Sequence, residues 1–74
     1  MNNQRRKTLA KIEQQLEELE GQLSIVMEEE QQTFDNMPES FQDGEKGQTA
    51  QETIDELESV VQELVDIRTR ILNL

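Results

Sequence analysis

In the first half of the chain, apolar residues fall at Leu9, Ile12, Leu16, Leu19, Leu23 and Val26, in alternating steps of three and four. That spacing returns each side chain to one side of an α-helix and fills the a and d positions of a heptad seam. The residues between them are mostly Glu, Gln and Lys, all strong helix formers. The pattern predicts a helix over about residues 4–34, a rod roughly 45 Å long at 1.5 Å per residue.

The periodicity then stops. Residues 35–47 hold the single proline and two of the three glycines, and are expected to form a loop. Pro38 disfavours helical geometry at Met37, Asp43-Gly44 is a turn signal, and Pro38 to Gln42 suits one helical turn begun by the proline. A second helix is expected over about residues 48–73, opened by Thr49 and Glu52 as a capping box. Its seam is Ile54, Leu57, Val61, Leu64 and Ile71, with Val60, Ile67 and Leu74 on one flank and Val65 and Leu72 on the other. The fold class is therefore all-α, one domain, an antiparallel two-helix hairpin with coiled-coil-like packing. Its expected core is the first-helix seam from Leu9 to Val26 against the second-helix seam. The second stripe is wider than the first helix can cover, so both its flanks are expected to mediate self-association into a homodimeric four-helix bundle, with a three-helix arrangement around a foreign helix as the alternative.

Composition strengthens that expectation. A core in a chain of 74 residues rarely supplies more than roughly 3–5 kcal/mol, and with no Cys or His neither disulfides nor ordinary zinc sites are open to this one. Self-association is the support that remains. Hydrophobic residues make up 32% of the chain and the net charge is −10, values that border on disorder, but the apolar residues are periodic rather than scattered.

Charge is distributed unevenly. Arg5, Arg6, Lys7 and Lys11 precede the first acid, residues 12–67 hold all 17 acids and one base, Lys46, and Arg68 and Arg70 follow. A hairpin brings these two basic stretches to one end of an otherwise acidic rod. The order has a cost: Glu13 and Glu17, like Glu52 and Glu56, are like charges one turn apart, each pair unfavourable by a few tenths of a kcal/mol, or roughly 0.2–0.5. The acidic shaft reads first as a solubilising surface; it is also a candidate docking surface for a partner protein, with Glu17, Glu18, Glu28, Glu29, Asp55 and Glu58 as candidate contacts. A sharper reading is imitation of a nucleic-acid backbone. Phe34, Met37 and Phe41 flank the loop and are expected to plug the open end of the core, or to anchor a partner.

Catalytic apparatus is not found. Ser24, Ser40 and Ser59 have no His or Cys to work with, no Gly-rich phosphate loop occurs, and neither Asp35 nor Asp43 starts a calcium-loop spacing. The chain is expected to be no enzyme and to use no cofactor or metal. No apolar block follows the basic opening as it would in an export signal, and no segment approaches the length of a membrane span, so a cytoplasmic protein is expected. Nucleic acid is an improbable partner for so acidic a surface, except through the basic end.

The basic opening Asn3-Gln4-Arg5-Arg6-Lys7, the Glu/Gln/Leu helix, the segment Phe34-Asp35-Asn36-Met37-Pro38-Glu39-Ser40 and Gly44-Glu45-Lys46-Gly47 resemble small acidic helical proteins of phages and integrated elements of Gram-positive bacteria. The likeness covers nearly the whole length, and the Asp-Asn-Met-Pro-Glu segment is its distinctive part. The resemblance carries no assigned activity and no functional residue. What it implies is context: an accessory or inhibitory protein that binds a host or element protein, with a nucleic-acid mimic, or a recombination or replication accessory, as alternatives.

Overall fold

Asn2 opens the first helix: its side-chain oxygen accepts the amide of Arg5 at 2.8 Å, relieving one of the orphan donors of a helix start. The computed structural model describes residues 1–74. It runs as α1 (Asn3–Asp35), the single turn α2 (Glu39–Gln42) and α3 (Glu45–Leu72), with no strand. The helices α1 and α3 pack along their length into a rod of 59 × 15 × 11 Å between Cα extremes. The antiparallel hairpin expected from the periodicity is present.

Helix α1 ends at Asp35, just ahead of Pro38, and its last carbonyls are closed by the amides of Asn36 and Met37. Gln42 donates its side-chain amide to the Phe34 carbonyl at 3.0 Å, tying α2 back onto α1. The loop expected over residues 35–47 is thus largely helical, and α3 starts at Glu45 rather than residue 48. Gly44, not Thr49, is its N-cap. Thr49 and Glu52 lie inside the helix, so no capping box forms; the Gly44 carbonyl already accepts the amide of Gln48. The early start lets Gly47 press against the backbone of Gln42.

The seams differ from expectation on one helix. On α3 the inward residues are Gly47, Ala50, Ile54, Leu57, Val61, Leu64, Arg68 and Ile71, an unbroken three-four alternation with an arginine in it. On α1 they are Leu9, Glu13, Leu16, Glu20, Leu23, Met27, Glu30 and Phe34. The column Leu9, Leu16, Leu23 is shared with the expected seam, but its companion is Glu13, Glu20 and Met27 instead of Ile12, Leu19 and Val26. Those three are exposed, so they are not hairpin core. The helix is rolled by this amount because Arg68 holds Glu13 and Glu20 inward.

Gly21 stands on the outer surface of α1, where an added Cβ meets nothing within 4 Å. Gly21→Ala is expected to raise stability by about 0.5–1 kcal/mol by removing backbone freedom from the unfolded chain. Urea unfolding reads this directly. A loss of stability would mean that another chain lies against that point.

Candidate functional site

The principal polar constellation sits between the helices. Arg68 donates from Nε to Glu20 Oε2 at 2.6 Å, from Nη2 to Glu20 Oε1 at 3.4 Å and from Nη1 to Glu13 Oε1 at 3.0 Å. Glu17 stands at the rim, 4.0 Å from the same guanidinium. Heptad geometry places Glu13 and Glu20 seven residues apart on one column, which lets a single planar fork reach both. Side-chain exposure is 22% for Arg68, 13% for Glu13 and 11% for Glu20. The hydrogen bonds to Glu20, then to Glu13, raise the Arg68 pKa further above its already high ordinary value. A group so arranged is permanently charged and has no proton to give. Its role is structural: it sets the rotation and register of one helix on the other.

This removes Arg68 from the basic end. Arg5, Arg6, Lys7, Lys11 and Arg70 remain exposed there. Asp66, one turn before Arg70, accepts the side-chain amide of Gln62.

The cluster also distinguishes the two long sides of the hairpin. Arg68, Glu13 and Glu17 mark one side, and a groove lined by Leu9, Ala10, Glu13, Ile71 and Leu72 lies along it. Val65, seven residues before Leu72, shares that side. The opposite flank of α3, with Val60 and Ile67, therefore shares its side with Ile12, Leu19 and Val26. The five residues expected to mediate self-association are thus divided: Val60 and Ile67 on one side, Val65 and Leu72 on the other, with Leu74 at the tip between them.

At the loop end, Phe34 and Met37 are half-buried and fill the end of the core, whereas Phe41 is 51% exposed. Its ring carries the Lys46 ammonium 5.7 Å from the centroid, a cation–π contact. Of the three residues expected to plug the hairpin, Phe41 alone stays outside.

Glu17, Glu18, Glu28, Glu29, Asp55 and Glu58 are all exposed. They are spread along the rod and do not converge on a pocket. Gln51 donates to Asp55 at 3.1 Å. No group of three His, Cys, Asp or Glu side chains is arranged to hold a metal ion, and no helix is long and apolar enough to cross a membrane.

Sequence reasoning missed Glu13, Glu20, Arg68, Gly47 and Ala50. A signal for Arg68 was present, because it fills the gap that the three-four alternation leaves between Leu64 and Ile71. No protein-family model matches the chain, and neither a curated protein nor a solved structure shows significant similarity to it.

Proposed function

We propose that the chain is a non-catalytic interaction module that pairs with itself into a four-helix bundle and docks a basic protein through its acidic surface. The observation that carries this reading is the division of the surface. One long side carries Ile12, Leu19, Val26, Val60 and Ile67 and is free of acids along its central columns, while the exposed carboxylates lie elsewhere on the rod. A surface with that division is built for two contacts of different chemistry: apolar burial on one side and charge pairing on the other. The charged residues that are drawn inward serve the hairpin itself, which leaves the outer carboxylates free for a partner. In the context that the phage-element resemblance implies, the module is an accessory or inhibitor acting on a host or element protein.

A second reading has its own observation. Leaving out Glu13 and Glu20, which face Arg68, the other 15 of the 17 acids along a 59 Å rod give roughly one carboxylate per 3.9 Å, comparable with the ~3.4 Å per phosphate of one nucleic-acid strand. A rod with that charge density suits the groove of a nucleic-acid-binding protein. The basic end supports direct nucleic-acid contact less well now that Arg68 is engaged with Glu13 and Glu20.

The test is retention of proteins from a host lysate by the tagged chain, compared with a variant carrying Glu17→Gln, Glu28→Gln, Asp55→Asn and Glu58→Gln. A partner held at low salt is expected to be lost from the variant, and to weaken steeply as salt is raised. Retention that is the same for both proteins and insensitive to salt would end the acidic-docking reading. Competition with duplex DNA separates the two readings: only a mimic's target releases its nucleic acid when the chain binds.

A further inference from the structure

A single hairpin leaves more surface than its mass warrants. A compact protein of 8.6 kDa exposes about 4,700 Å² by the usual scaling, and this one exposes 5809 Å². Its Cα radius of gyration is 17.1 Å, where a compact domain of the same length has roughly 11 Å. No large side chain is fully enclosed. The surplus, about 1,100 Å², is comparable with the ~800 Å² that each partner contributes to a standard interface.

We propose that a second copy of the chain covers the Ile12–Leu19–Val26 side, packed face to face and head to tail about a two-fold axis close to Leu19. This rests on the self-association in the reading above and names the face and the orientation that it leaves open. Ile12, Leu19, Val26 and Ile67 are 38%, 48%, 49% and 44% exposed, and Val60 lies between them on the same side. The other members of the two helical columns are Arg5, Thr33, Lys46 and Thr53, so that no acid falls among nine positions of a chain with 17 acids. Carboxylates inside an apolar contact would be desolvated without partners, and these columns hold none; Glu30 and Glu56 border them toward the loop end, beside Lys46 and Thr53.

The heptad spacing makes the face self-complementary, as a two-fold interface requires. With the axis at Leu19, α1 lies antiparallel on α1 of the second copy, and Ile12 meets Val26 of that copy, each seven residues from the centre. The same axis brings Val60 level with Ile67 of the second copy to within about half a helical turn. Charge selects the orientation. Head to tail, the span Arg5, Arg6, Lys7 and Lys11 comes level with Glu28, Glu29 and Glu30 of the second copy. The reverse arrangement, with both hairpins pointing the same way, gathers the cations of both copies at one end and brings Glu29 of one copy toward Glu56 of the other. In the head-to-tail dimer the Glu17–Glu58 side of each copy faces outward, so the bundle presents two identical acidic docking sides.

The chain has no cysteine, which makes single-cysteine cross-linking clean. Leu19→Cys is expected to form a disulfide between copies under mild oxidation, nearly to completion. Ile12→Cys and Val26→Cys are each expected to link poorly alone but well when mixed. In solution Leu19→Glu is expected to weaken association by roughly 100-fold or more, since it buries two facing carboxylates, while Leu72→Glu leaves it unchanged. Because Leu19 is on the surface of the hairpin, loss of association with helicity retained counts in favour; the cysteine variants decide the case if Leu19→Glu unfolds. Failure of Leu19→Cys to link, or a dimer broken by Leu72→Glu and spared by Leu19→Glu, overturns this face while leaving self-association intact. A chain that is monomeric throughout overturns both, yet leaves acid-dependent capture of a basic protein as a separate result.

Discussion

Arg68→Ala is expected to lower the thermal midpoint by roughly 10 °C or more, the largest effect of any single truncation in the chain. The substitution strands Glu20, which is buried, and Glu13, which is nearly so, with no cation to face. Both carboxylates lie on the same column of α1, and without the guanidinium nothing holds that column inward. Arg68→Lys should fall between the parent and Arg68→Ala, because an ammonium is a single point of charge and does not reproduce a fork that bonds two residues. Replacing all three by leucine (Arg68→Leu, Glu13→Leu, Glu20→Leu) should recover the stability or exceed it, since a well-packed apolar seam commonly outperforms a buried ion cluster. What the triple variant should lose is uniqueness of rotation, visible as broadened methyl resonances. If Arg68→Ala melted within 2 or 3 °C of the parent, the cluster would not be fixing the hairpin. Acidity offers no shortcut through the arginine. Its pKa is raised in the folded chain, so its contribution is complete below the unfolded value and fades only at alkaline pH beyond the folded one. Arg68 titration therefore leaves stability flat across the neutral range.

Gly47→Ala is expected to cost about 2–3 kcal/mol. An added Cβ would lie inside the backbone of Gln42, 2.6 Å from its Cα and closer still to its carbonyl. Backbone cannot rotate aside as a side chain can. The turn α2 would have to lift away, breaking the Gln42 to Phe34 hydrogen bond and opening the end of the core over Met37. Gly47 is not at positive φ, so its value is close approach rather than conformational freedom. Chemical denaturation measures the effect. A variant within about 0.5 kcal/mol of the parent would mean that α2 is not docked on α3.

The hairpin was legible in the sequence because two long periodic stretches separated by a proline leave little choice of architecture. The helix start near residue 4 and the stop before Pro38 followed from the same rules. Two things were hidden. The three-four alternation around Leu9, Leu16 and Leu23 can be completed on either side, by Ile12, Leu19 and Val26 or by Glu13, Glu20 and Met27. Hydrophobicity favours the first choice, and it fails because a single distant residue, Arg68, pairs with the second. A pairing across 48 residues leaves no local trace, though an arginine on an otherwise apolar α3 column was a clue. The start of α3 was hidden for a different reason. Thr49 and Glu52 match a capping box in sequence, whereas the helix starts four residues earlier, at Glu45, and the early start goes with a tertiary contact of Gly47 on Gln42 that no local pattern records. The candidate site was legible as composition, an acidic surface plus surplus apolar residues, but which residues share a side depends on the roll of the helices.

That roll leaves the side of Ile12, Leu19 and Val26 open, and the proposed dimer rests on that opening. Sedimentation equilibrium of the unaltered chain over micromolar concentrations measures the assembly directly. The predicted mass is twice 8.6 kDa, and one species of 8.6 kDa at every concentration would contradict it.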